Sequence, residues 1–109
     1  MTTEHIFIPD LAAQVPDIPP DSIVSRTVIN TPALKAILFG FAAGQELSEH
    51  TSARPAIMHF LRGQADVTVG GEHYQVTPGA FVHMAPRLPH SVVANSEVVM
   101  LLLMLAGDA

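Results

Sequence analysis

The sequence predicts an all-β domain, a sandwich or small barrel built from eight or more short strands. Three observations carry that prediction. Stretches rich in β-branched and apolar residues recur from Ser22 onward at roughly 8–12-residue spacing, the interval expected of such folds. Turn residues separate them, and two strand-length runs flank Gly70-Gly71 in the pattern of a β-hairpin. A helix competes only over Val98–Leu105, and weakly, because nothing there caps it. The chain has 109 residues, enough for one domain, and 49% hydrophobic against 14% charged residues leaves most of it able to bury a core.

The strands follow in order. Ile23–Ile29 is rich in β-branched residues and stops at Asn30-Thr31-Pro32. Lys35–Ala42 is an apolar run of strand length, closed by Gly44. Ala56–Arg62 ends at Gly63-Gln64, and Asp66–Val69 and Glu72–Val76 alternate on either side of the Gly-Gly turn. Thr77-Pro78-Gly79 suits a type II turn, with proline second and glycine supplying positive φ third. Ala80–Met84, Ser91–Ala94 and Glu97–Leu105 complete the series, with Pro86 and Pro89 bracketing a bend. Closure or dimerisation is needed to hide the edges of so many strands.

Residues 1–21 read as an N-terminal arm ahead of a domain at 22–109. Pro9, Pro16, Pro19 and Pro20 interrupt any long helix or central strand there. Ile6, Phe7, Ile8 and Leu11 favour an arm docked on the body or on a partner subunit over a loose terminus.

Several functions are excluded by composition. Five basic residues against ten acidic ones give a net charge of −5, and the five are scattered, so no positive stripe for nucleic acid or an anionic membrane can be assembled. The absence of cysteine removes disulfides, thiolate metal sites and a cysteine nucleophile. The longest apolar run, Val98–Ala106, falls far short of the roughly 20 residues of a membrane helix. The N-terminus has neither the basic start nor the apolar stretch of a signal peptide, so the expected location is the cytoplasm, most simply of a bacterium.

Six histidines are many for this length, and histidine is the commonest metal ligand and the usual acid or base near neutrality. His5 lies in the arm, and His73 stands near a hairpin tip that faces water. His50 follows the Gly44–Glu49 loop and His90 follows Pro86-Arg-Leu-Pro89, each at the entrance to a strand. Two such histidines could point into one barrel mouth, or each could simply bond its own loop. No Gly-rich phosphate loop precedes a helix, and no nucleophile elbow surrounds a serine.

The order of strands and turns, with the spacing Gly44…His50…Gly63 and then Gly79…His90, resembles the cupins. In the first cupin motif a second histidine falls on Ser52 and a glutamate on Ala56. In the second motif the proline falls on Ala85, with Pro86 next door, the glycine falls on Arg87, and Asn95 comes one residue late. The string Pro89-His90-Ser91-Val92 is also frequent in cupins at this point. The resemblance covers roughly residues 22–105 and implies a cupin-like jelly-roll β-barrel of two antiparallel sheets, and a homodimer.

The resemblance further implies one divalent metal inside the barrel, held by three histidines and a glutamate. Two of those four positions, His50 and His90, keep their residue types. Two imidazoles alone make a poor site, so a third ligand is needed from elsewhere. The expected one is His59: strict alternation turns Ala56, Met58 and Phe60 inward and His59 outward, and a bulge would turn it in. His83 is the alternative, and Glu46 and Glu49 could reach the mouth. Iron, manganese, nickel and zinc all suit such a site chemically.

Phe39, Phe41, Met58, Phe60, Phe81, Met84, Met100 and Met104 are available to the interior, and some of these must face inward. Met58 and Phe60 would line a pocket for a small apolar or aromatic ligand, and Arg54 could clamp a carboxylate at its mouth. Two functions from different classes stand. One is a metal-dependent cupin enzyme, by resemblance an oxygenase or isomerase acting on a small organic molecule, with no catalytic residue identified. The other is a metal-free cupin that binds an apolar or carboxylate ligand as sensor or carrier. The first is narrowly preferred as far as metal binding goes. Expected partners are a second copy of the chain and a small molecule, with no nucleic acid and no membrane.

Overall fold

A computed structural model describes residues 4–106; the outer ends of the arm and of the barrel domain expected at 1–21 and 22–109 lie outside the described residues. Nine strands form two antiparallel sheets. The first sheet holds β1 (Ile23–Asn30), β2 (Leu34–Phe41), β9 (Val98–Leu105), β4 (Ala56–Arg62) and β7 (Phe81–Met84), in the order β1-β2-β9-β4-β7. The second holds β3 (Glu46–His50), β8 (His90–Ala94), β5 (Ala65–Val69) and β6 (Glu72–Val76), in the order β3-β8-β5-β6. Facing sheets of this kind make the expected jelly roll, and Val98–Leu105 is a strand, as its lack of a helix cap suggested.

The turns behave as their residues dictate. Gly70 and Gly71 both have positive φ, as a two-residue hairpin turn with the right-handed twist of its strands requires. Gly79 has φ 98°, and the Ala80 amide donates to the Thr77 carbonyl, closing the turn that the Thr-Pro-Gly sequence called for.

The core lies between the sheets. Phe41, Met58, Phe60, Val67, Met84, Val92, Val98 and Met100 are fully buried there. Strand alternation explains the membership: Ala56, Met58 and Phe60 point in, and the residues between them point out. Of the candidate interior residues, Phe81 is one that faces out: it opens β7 on the outward phase and is 62% exposed, so the inner wall there is built by Val82 and Met84.

The arm is docked on the outer face of the five-stranded sheet of its own chain. A Cβ placed on Gly40 in β2 would run into Ile18 and Val15. Ile6, Ile8 and Leu11 line a hollow on the same face together with Ala36, Leu101 and Leu103. The arm therefore covers apolar side chains that the inter-sheet core cannot reach, which is why Leu38 and Val99, on the outward phase of their strands, are buried.

Candidate metal centre

His50 closes β3 and His90 opens β8, and the two are paired directly across the ladder. The sequence gives no strand signal for β3, since Glu46–His50 has one apolar residue and every other residue is exposed. It forms because β8 offers it an edge, and it carries His50 at its end rather than at the entrance to a strand.

The two imidazoles meet edge to face, with ring centroids 4.1 Å apart. Each ring is held in the same way. His50 Nδ1 lies 2.8 Å from the Ser48 carbonyl, and His90 Nδ1 lies 2.9 Å from the Leu88 carbonyl. A carbonyl only accepts, so each Nδ1 carries the proton and donates it. That fixes the tautomer and leaves each Nε2 with a lone pair, and neither makes a hydrogen bond among the described residues. An imidazole whose distal N–H is anchored in this way is oriented to bind a metal ion or accept from a ligand.

The pair lines a cavity of about 210 Å³ together with Thr51, Ser52, Ala56, Leu102 and Met104. His90 is 5% exposed, the one polar or charged residue buried among those described, while His50 is open to solvent at the sheet edge. Burial holds the His90 imidazole below its ordinary pKa, and charge on His50 pushes the same way, against the opposing bond to Leu88. Two loops frame the mouth and are tied together by the Arg87 amide, which donates to the Ser52 carbonyl at 2.6 Å. Arg87 sits there with φ 65°, the conformation that the glycine of the second motif would adopt freely.

The other expected site residues are not among those that line this cavity. His59 is on the outward face of β4, packed against Phe81 with ring centroids 6.0 Å apart, and is not brought to the pair. A bulge does interrupt the β4–β9 ladder, but it falls between Phe60 and Arg62, beyond His59. His83 is exposed on β7, and Glu46 and Glu49 are exposed on β3. Met58 and Phe60 are sealed in the core rather than in the cavity wall. Arg54 Nε donates to the Leu105 carbonyl at 2.6 Å, and its buried Nη2 finds no protein partner among the described residues. No group of three or more histidine or carboxylate side chains stands together among the described residues. A four-ligand divalent centre therefore does not fit: Ala56 has no donor, and Ser52 offers only a neutral hydroxyl.

A larger cleft, of about 540 Å³, does not contain the pair. It opens between β6 and β7, the free edges of the two sheets, and is lined by Val69, Tyr74, Val76, Val82, His83 and Leu88 among others. Val69 stands beside His90 in the β5–β8 ladder, so the two cavities flank the same buried histidine.

The Cupin domain sequence profile matches residues 37–106, well over half of the chain. The chain belongs to the cupin family. This cupin is similar to a conserved protein of unknown function from Streptococcus pyogenes, with 32% identity over 98% of this chain and 93% of that one and a TM-score of 0.84. A cupin superfamily protein from Desulfitobacterium hafniense shares 19% identity over 99% and 95% of the two chains, with a TM-score of 0.83. KdgF from Halomonas sp. shares 24% over 87% and 89%, with a TM-score of 0.76, and these last two likenesses speak to fold alone. No curated protein matches the chain. No helix among the described residues is long and apolar enough to cross a membrane.

Proposed function

We propose that this small cupin binds a metal ion through His50 and His90 inside the mouth of its barrel. The observation that carries this is the matched anchoring of the two rings: both Nδ1–H groups are engaged by backbone carbonyls, which presents two Nε2 lone pairs in one cavity. Two unpaired acceptors so close together are stabilised by an electropositive group in the cavity they share, and a metal ion can serve both. Metal analysis of protein purified without a histidine tag tests the reading. Bound metal that is lost in both His50→Ala and His90→Ala supports it. Equal metal content in all three proteins overturns it.

A second reading rests on the cleft between β6 and β7. Its volume is that of a small-molecule site, and Tyr74 on its wall is half exposed. A metal-free cupin would hold an apolar or aromatic molecule there, with His83 and Tyr74 as polar contacts. The chain has one tyrosine and no tryptophan, so Tyr74 fluorescence reports directly on a ligand in this cleft. Ligand binding in metal-stripped protein that survives both histidine substitutions favours this reading over the first.

The natural state proposed for either is a homodimer. Leu101, Leu103 and Leu105 are only partly buried on the outer face of the five-stranded sheet, and Ile6 and Phe7 of the arm are exposed. The outward residues of β9 carry no charge, so two copies can meet there without like-charge repulsion. Light scattering that gives a dimer mass, reduced to a monomer by Leu103→Lys, supports this; a monomeric wild type removes it.

A further inference from the structure

We infer that the ion held by the histidine pair is a soft monovalent one, Cu(I) in chemical class, with the Met104 thioether as its third ligand. This rests on the reading that His50 and His90 bind a metal at all, and it goes further in naming the ion and the donor that completes it.

The argument begins with the donors around the cavity. Besides the two imidazoles, its wall offers the backbone, the hydroxyls of Thr51 and Ser52, the hydrocarbon of Ala56 and Leu102, and one thioether. No carboxylate lines it. Hard and borderline divalent ions draw their affinity from anionic oxygen or from three or more nitrogen donors, and neither is present. Cu(I) needs neither. It takes few ligands, and it prefers imidazole and thioether over oxygen.

Met104 differs from the other methionines of the barrel. Met58, Met84 and Met100 are each at most 1% exposed and belong to the closed core. Met104 is only partly buried and is the methionine in the wall of the histidine cavity. Its position follows from the sheet. Met104 is paired with Ala56 on one side, and alanine is too short to fill the space in front of its own strand. The flexible thioether of the neighbouring strand, whose other ladder partner is Lys35, is left partly uncovered and shares one cavity wall with histidines that come from the opposite sheet. The set is two nitrogens from one sheet and one sulfur from the other, within a wall that is otherwise mainly apolar. Such a wall suits an ion of single charge better than one of double charge, because the cost of removing charge from water rises steeply with its magnitude.

The test uses the full-length protein, stripped of metal and kept anaerobic. Cu(I) is titrated against a chromogenic Cu(I) chelator, and Zn(II) and Ni(II) are titrated separately. In parallel, Ag(I) is added as a redox-inert stand-in to protein carrying ¹³C-methyl methionine, with the Met104 signal assigned by its loss in Met104→Leu. Cu(I) is expected to bind more tightly than either divalent ion. Met104→Leu, which keeps the side-chain volume, should weaken Cu(I) by roughly tenfold or more while leaving any Zn(II) binding unchanged. Ag(I) should shift the Met104 methyl signal and leave those of the core methionines nearly in place. Divalent ions that bind through the histidines, with no response of the Met104 methyl to Ag(I), would overturn this inference and leave the histidine pair as a metal site. Failure of every ion to bind would overturn both. The methyl signal of the wild type decides the matter even if Met104→Leu folds poorly.

Discussion

His50 and His90 are cross-strand partners of the β3–β8 ladder, yet one is exposed at a sheet edge and the other is 5% exposed. Their contributions to stability should differ as sharply as their surroundings. His50→Ala removes an exposed ring and should change the stability of the metal-free protein by less than about 0.5 kcal/mol. His90→Ala empties a buried position and leaves the Leu88 carbonyl without its donor, at a cost of roughly 1–3 kcal/mol. Urea denaturation of both variants measures the difference. Equal losses would mean that the two rings are held as one unit.

The depressed basicity of His90 has a consequence for metal-free protein. Its ordinary value is 6.5, and the folded chain holds its proton less firmly than the unfolded chain does. Between the lowered folded value and 6.5 the unfolded state therefore binds more protons, so stability falls as pH falls through that window. Above 6.5 both states are neutral at this residue and the effect is absent; below the folded value both are protonated and the loss stops growing. Denaturation midpoints from pH 8 down to pH 5 should show this decline, and His90→Gln should flatten it. An unchanged slope in that variant would assign the decline to carboxylates instead. Metal retention should fall over the same range, because protons compete for Nε2.

The parts of this molecule that local chemistry dictates could be read from the sequence, and the parts that depend on a distant partner could not. Gly70-Gly71 and Thr77-Pro78-Gly79 carry their own backbone requirements, so the hairpin and the turn after it were legible. Glu46–His50 has no apolar alternation, and its strand exists only because β8 lies beside it. Motif spacing singles out His50 and His90 as candidates for one barrel mouth, but their direct pairing depends on the β3–β8 register. The role of Met104 was not legible, since it rests on the register that sets it against Ala56, and in the sequence it is one of eight interior candidates. Alternation along β4 already pointed His59 outward, and it remains there because the one bulge in that ladder lies past it. The anchoring of Arg54 Nε on the Leu105 carbonyl, fifty-one residues away in sequence, has no local signal at all.

Arg87 keeps a left-handed backbone, φ 65°, while its amide donates to the Ser52 carbonyl. A left-handed conformation costs a residue with a Cβ about 1–2 kcal/mol, part of which glycine would return as unfolded-state entropy. Arg87→Gly should therefore stabilise the protein by about 0.5–1 kcal/mol without altering metal binding. A thermal melt checks this. A loss of stability would show that the arginine side chain makes a contact worth more than the backbone strain.

Gly63 joins β4 to β5 with φ 82°, and a Cβ there would stand far inside contact distance of the Glu97 carbonyl oxygen. Backbone, unlike a side-chain tip, cannot swing away. Gly63→Ala should cost about 3 kcal/mol or more, from left-handed strain and overpacking together. Gly44 and Gly71 have similar φ values, 84° and 85°, but nothing lies within 4 Å of a Cβ at either. Alanine there should cost only the conformational part, about 1 kcal/mol. The ranking of the three melting temperatures is the check, and a Gly63→Ala variant as stable as Gly71→Ala would refute the close approach.

Gly40 is a different kind of close approach. Its φ is not left-handed, and what a Cβ would meet are the side-chain ends of Ile18 and Val15, on the arm rather than in the barrel. Side-chain ends can move, so the expected effect falls on the arm alone. Gly40→Ala should loosen it slightly, and Gly40→Val should lift the segment around Val15–Ile18 off the sheet. Arg26 Nη1, 3.5 Å from the Gln14 carbonyl, is a long contact and is too weak to hold the arm without the packing. Hydrogen exchange and limited proteolysis should therefore show protection lost across the arm in Gly40→Val while the β5–β6 hairpin keeps its protection. Arm and barrel losing protection together would mean that the docked arm is part of one cooperative unit with the inter-sheet core, and that Leu38 and Val99 are needed beneath it to keep the sheet itself folded.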